Sequence, residues 1–174
     1  MSSGLRVAPA VAAASVTLVT AASLTACGFT GAAPQGGEQC PTPTAAAVRE
    51  HASRAAAVFR ATIEEQPLIT DGVTTTRGLV ARVDGTLAGA GVPERVVVWP
   101  GVDTPTENDL LGVGTVLVVF ARPHDRPTTV DGAPLPGYDI TGANALLSPV
   151  PEGVVRICKG GRSAPAAATV LDEV

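Results

Sequence analysis

The sequence predicts a mostly β chain that closes into a small barrel, with one helix near its start. Three observations predict it. The 174 residues include 19 Gly and 15 Pro, enough breaks to argue against a long helical bundle. Short apolar runs such as "ERVVVWP" and "GTVLVVFARP" are bounded by Gly or Pro, as buried strands are. Only Phe29, Phe59, Trp99, Phe120 and Tyr138 are aromatic, so the core must be built from Val, Leu, Ile and Ala with a few large pieces. Trp99 suits either that core or a surface anchor.

The first element is the least decided. In "TPTAAAVREHASRAAAVFRATIEEQP", Val48, Ala52, Ala55, Phe59 and Ile63 fall at helical spacing, which fits one helix running to Pro67. In the same stretch Phe59, Ala61 and Ile63 alternate with Arg60, Thr62 and Glu64, which fits a half-buried strand. Periodicity supports both. Next, "VTTTRGLVARVDG" is rich in β-branched residues and ends on Asp84-Gly85, a turn signal. The two apolar runs follow as strands, and "YDITGANALLSPV" and "VVRIC" read as two further extended pieces. Between Arg122 and Tyr138 the Pro-rich "RPHDRPTTVDGAPLPGY" reads as a surface connection with a small hairpin about Asp131-Gly132.

The ends differ from this body. Residues 1–6 carry Arg6, and "VAPAVAAASVTLVTAASLTA" follows, apolar or small throughout, up to Cys27. A basic start, an apolar middle and small residues at the cut are the layout of an export signal over residues 1–26. Pro9 and the many Ala, Ser and Thr make a permanent spanning helix the weaker reading. Leu24-Thr25-Ala26-Cys27 resembles a bacterial lipobox, which implies cleavage before Cys27 and a diacylglycerol on its thiol. Two acyl chains give stable anchoring where one is marginal. The expected location is therefore the cell membrane, lipid-anchored and facing the extracytoplasmic side. Gly-rich residues 27–39 read as a flexible tether, and residues 159–174 as a flexible tail. Cys40 and Cys158 bracket the domain between them. In an exported chain this even remainder implies a disulfide, for which loop entropy alone gives about 4–5 kcal/mol.

Residues 40–158 also resemble the netrin-module and tissue-inhibitor-of-metalloproteinases-like domains. The likeness rests on "CPTPTAAAVREHASRAAAVFRATIEE", a cysteine before a helix and a first strand, then "RGLVARVDGTLAGAGVPERVVVWPG" and "LLGVGTVLVVFARP". It implies a five-stranded OB-like barrel with a short N-terminal helix over residues 44–54 and a first strand over 56–66. One departure matters for function. Inhibitors of that kind chelate zinc through a Cys-x-Cys at a free amino terminus, whereas Cys40 precedes Pro41 and Thr42 and lies thirteen residues beyond Cys27. The resemblance implies the fold and not that mechanism.

Motifs for chemistry are sparse. The formal charge is −4, becoming about −5 without Arg6, and no basic cluster appears, which argues against a nucleic-acid partner. No Gly-x-Ser-x-Gly surrounds Ser148, and neither a phosphate loop nor a dinucleotide fingerprint is present. His51 in "REHASR" and His124 in "RPHDRP" read as solvated. His124 beside Asp125 has base or metal chemistry, but sequence neighbours point apart and no third ligand is suggested. Adjacent Glu64 and Glu65 would face opposite sides of a strand. Asp103 and Asp109 lie in an acidic loop with too few alternating oxygens for calcium.

These readings lead to an extracytoplasmic binding or structural domain without catalytic activity, cofactor or bound metal, anchored by lipid and facing an envelope protein partner. Asp103, Asp109, His124 and Asp125 mark the candidate ligand loops. A protease inhibitor that wedges a loop into its target is the second reading, and a metal-dependent hydrolase using His124 and Asp125 the third.

Overall fold

The computed structural model describes residues 40–89, 91–99, 111–142, 145–158 and 161–174. The export signal, the lipobox with Cys27, the tether, and Asp103 and Asp109 lie outside the described residues. Among the described residues, no helix is long and apolar enough to cross a membrane.

Helix α1 spans Ala45–Arg54. Thr44 caps it, its hydroxyl accepting from the Ala47 N–H at 3.2 Å, and Glu50 pairs with Arg54 one turn on. Val48 is its fully buried residue. The helix stops at Arg54 and strand β1 begins at Ala57, running to Glu65. Phe59, Ala61 and Ile63 are buried while Arg60 is exposed, so the strand reading of this segment holds and the helix to Pro67 does not. The deciding fact is non-local: β1 is hydrogen-bonded on both edges, to β4 (Leu79–Gly89) and to β6 (Val116–Pro123).

With β5 (Arg95–Trp99) and β9 (Gly137–Ile140) these strands close a five-stranded barrel in the order β1-β4-β5-β9-β6-β1. Its pairs are antiparallel except β5–β9, which is parallel. The fold is thus mostly β, an OB-like barrel with a short N-terminal helix. Phe59, Ile63, Leu79, Leu111 and Leu117 fill the interior, while Phe120, on the other face of β6, packs beneath helix α1; each is at most 1 % exposed. The Asp84-Gly85 turn expected from sequence is absent: β4 continues to Gly89, and Asp84 is an extra residue between the pairs Ala61–Val83 and Arg60–Gly85. It is a bulge, which increases the twist a small barrel needs.

From β6 the sheet continues through β10 (Leu146–Val150), β11 (Gly153–Cys158) and β12 (Gly161–Arg162). Cys158 at the end of β11 is bonded to Cys40, with Cα atoms 5.6 Å apart, so the disulfide joins the start of the domain to its last long strand. Residues 161–174 do not form the flexible tail expected over 159–174. Ala166 exchanges two backbone hydrogen bonds with Val154, at 2.8 and 2.9 Å, and a 3-10 helix covers Ala168–Glu173. Val170, Leu171 and Val174 pack against the core. Three apolar residues at helical spacing suffice, although the segment looks polar and small as a whole. Gly153 is required by this docking: its φ is +135°, and a Cβ there would run into the Ala166 carbonyl.

A second, four-stranded sheet has the order β3-β2-β7-β8, from β2 (Leu68–Thr70), β3 (Thr75–Arg77), β7 (Thr128–Val130) and β8 (Ala133–Leu135). It is built from two connections, the β2–β3 hairpin between β1 and β4 and the β7–β8 hairpin between β6 and β9. Strands β2 and β7 pair, Ile69 with Val130 and Thr70 with Thr129. The β7–β8 turn is the expected Asp131-Gly132, with φ of +49° and +81°, as a two-residue hairpin loop demands. Beneath this sheet Ile69, Val80, Val97, Trp99 and Val130 form a second core, joined by Leu135. That explains why "VVVW" is apolar without alternation. Val96 and Val98 face the barrel interior, while Val97 and Trp99 face the hairpins.

Candidate functional site

The two hairpins meet at Trp99, and a polar cluster that includes buried Asp71 and Thr128 gathers there. Trp99 ends β5 at 6 % exposure, and its Nε1–H donates to the Thr128 hydroxyl at 2.8 Å. His124 follows β6 and lies flat on the indole, with ring centroids 4.4 Å apart and planes 14° from parallel. The His124 backbone N–H donates to the Gly137 carbonyl at 2.8 Å. Gly137 has no room for a side chain. A Cβ would overlap the Thr128 hydroxyl and come 3.0 Å from both Trp99 Nε1 and His124 Cβ.

Two carboxylates flank the imidazole. His124 Nδ1 lies 2.9 Å from Asp139 Oδ1 on β9, and Nε2 lies 3.5 Å from Asp71 Oδ2 in the β2–β3 turn. Asp71 is held hard in place. Its Oδ1 accepts from the backbone N–H groups of Val73 and Thr74 at 2.9 and 2.6 Å, and its Oδ2 accepts from Arg126 at 2.6 Å. These backbone N–H groups, with the Arg126 guanidinium, keep the Asp71 carboxyl well below the usual carboxylate range, although burial opposes them. The Asp71 side chain is only 3 % exposed.

Beside the cluster lies an open cleft of about 410 Å³, lined by Pro123, His124, Arg126, Leu135, Pro136 and Tyr138 among others. Tyr138 sets its ring edge against Phe59 of the barrel core, 5.6 Å between centroids, which ties this wall to the interior. Prolines stiffen the lining because their φ is fixed.

His124 is therefore not the solvated loop residue its sequence suggests. The partner at its side is also not Asp125, which is exposed and takes no part in the cluster's hydrogen bonds. Asp71 and Asp139, the residues that do flank it, gave no sequence signal beyond a turn-forming Asp-Gly and a strand position. Their distance along the chain hides them: Arg126 reaches Asp71 across 55 positions. Trp99 is a core residue, but of the second core. Glu64 and Glu65, expected to diverge, both reach Arg95, at 2.9 and 2.6 Å, across β4, which lies between β1 and β5. His51 is half-buried against Phe120, at 5.9 Å between centroids. Among the described residues, no three His, Cys, Asp or Glu side chains converge as a metal site would require.

The chemistry available at His124 is that of positioning. Nδ1 is engaged by Asp139 and Nε2 is buried, so neither nitrogen is presented to the cleft as a general base. The ring instead links β5, β9 and both hairpins. Comparison of the chain with protein-family models, with curated proteins and with solved structures finds no match.

Proposed function

We propose that the chain is a lipid-anchored extracytoplasmic binding domain that holds a partner protein at the cell envelope without transforming it, through the cleft beside His124. One observation carries the reading: the two connections flanking the barrel face are joined to each other, by β2–β7 pairing and the Arg126–Asp71 hydrogen bond, and the Trp99–His124 stack fixes the second of them to β5. A wall fixed before binding loses little freedom on binding, which favours recognition. OB-like barrels bind with these same connections, which supports the placement by analogy of fold.

The test is site-directed photo-crosslinking in intact cells. A photoreactive residue at Pro136, in the cleft, should give a discrete adduct, and one at exposed Glu152 should give none. Adducts at both positions, or at neither, would sink the reading.

A second reading, loop-wedging inhibition of an envelope peptidase, is favoured by Val73. It stands 78 % exposed beside the Asp71 turn that clamps the hairpin tip. If this reading holds, Val73→Asp releases a bound peptidase while leaving the adduct at position 136 unchanged.

A further inference from the structure

We propose that His124 is a proton-operated latch that fastens the β2–β3 hairpin to the rest of the cleft wall. The inference concerns regulation of the site proposed above and rests on that reading for its purpose, but its geometry stands on its own.

An ionised carboxylate only accepts hydrogen bonds, so the 2.9 Å contact to Asp139 places a proton on Nδ1. In the neutral ring Nε2 then carries a lone pair. This nitrogen is buried without a hydrogen-bond partner, and it faces a second acceptor, Asp71 Oδ2, at 3.5 Å. A lone pair held against a carboxylate in a site poor in water is repulsive. Adding one proton to Nε2 reverses the sign. The ring becomes an imidazolium between two carboxylates, and the Asp71 contact turns from repulsive to charge-assisted, as the Asp139 contact already is. Of the two, only the Asp71 contact changes character, so the β2–β3 hairpin is the part that is held or released.

The surrounding charges favour this assignment. From the β2–β3 turn comes Asp71; from β9, Asp139; from the loop of His124 itself, Arg126, already bonded to Asp71. Two carboxylates face one guanidinium, and an imidazolium makes the cluster neutral. Exposed Asp125, next in the chain, and exposed Arg122, opposite Asp139 in the β6–β9 register, add one charge of each sign. Trp99, from β5, is uncharged and covers one ring face.

The experiment uses the full chain with selectively 15N-labelled histidine, followed from about pH 8 to about pH 5, the range in which histidine switches. Only His51 and His124 contribute signals, and His51→Asn identifies them. Hydrogen exchange, corrected for the intrinsic pH dependence, is read over the same series. As Nε2 of His124 gains its proton, amides of residues 68–77 should become roughly tenfold better protected, as one hydrogen bond to a charged group would give. His124→Phe, which keeps an aromatic ring on Trp99, should lose that step. The latch is overturned if hairpin protection is flat or falls while the ring titrates, or if His124→Phe keeps the step. Should that variant not fold, the wild-type ring and amide signals decide alone. No ligand is needed, so failure here is separable from failure of the crosslinking test.

Discussion

Trp99 and His124 lie face to face, 4.4 Å between ring centroids, and the one carbon that cannot be added beside them is a Cβ on Gly137. Residue 137 opens β9 against the middle of β5, where Val97 pairs with Gly137. The prediction is that Gly137→Ala displaces Thr128 and with it the acceptor of the indole N–H. Overpacking of this kind costs about 1–3 kcal/mol, read as a lowered urea midpoint. Adding Thr128→Ala removes the colliding hydroxyl and should recover part of the loss. A midpoint equal to wild type for Gly137→Ala would show that the junction is loosely packed.

The disulfide is the second point. Cys40 and Cys158 are 118 positions apart, and their bond closes nearly the whole barrel into one loop. Replacing both by Ala should lower stability by up to about 5 kcal/mol on the chain-entropy estimate. Mass mapping without reductant checks the pairing, and thermal unfolding with and without reductant reads the loss.

Cys27 supplies the third. If its thiol carries diacylglycerol, Cys27→Ala leaves the chain without lipid and moves it out of the membrane fraction. Blocking the lipoprotein signal peptidase with globomycin should leave the leader attached. An unchanged intact mass and unchanged partitioning in the variant would remove the anchor.

The barrel was legible because its strands repeat local signals: apolar runs between breakers, and an Asp-Gly where two residues must take positive φ. Asp84-Gly85 carries the same letters as Asp131-Gly132, yet one is a bulge and the other a turn. The difference lies in the partner strand, since β1 continues past the bulge and pairs with β4 on both sides of it. The segment around Phe59 was undecidable for the same reason, because two long-range pairings choose the strand. The site was less legible still. Trp99, His124, Asp71 and Asp139 come from four separate elements, and none has a distinctive neighbour in sequence. The unbroken apolar run of β5 is accounted for only by the second core, which covers Val97 and Trp99 on the face turned away from the barrel interior.

That cover has a counterpart at the carboxyl terminus, which leads to a fourth prediction. Leu171 and Val174 line a small pocket of about 260 Å³ with Arg60, Leu87, Val118 and Pro149, so the last residues close the barrel flank. Leu171→Ala should cost about 1–2 kcal/mol, below the range for a fully buried leucine because Leu171 is only partly buried. Ending the chain after Ser163 should cost more, because it also removes the paired hydrogen bonds between Ala166 and Val154. Equal denaturation midpoints for both and for the full chain would return the segment to the status of a loose end.

Acid should weaken the fold in two steps. Burial, and then the positive charge of Arg156, hold the His51 imidazole below its ordinary value of 6.5. The unfolded chain therefore takes up a proton that the folded chain refuses. The His51 contribution is complete above pH 6.5 and falls as the pH drops from there to the folded value, with no further loss below it. Asp71 adds a second decline at lower pH. Backbone N–H groups of Thr74 and Val73, aided by Arg126, hold its carboxyl below the ordinary 3.8, so its contribution is complete above that value and is lost as the pH falls through the folded one. Unfolding free energies from urea titrations across this series should fall in both windows for the wild type. His51→Gln should flatten only the upper window and Asp71→Asn only the lower. The latch at His124 works with the opposite sign, tightening the β2–β3 hairpin as the pH falls, so the His51 decline is read by urea in a His124→Phe background, where exchange over residues 68–77 shows no step.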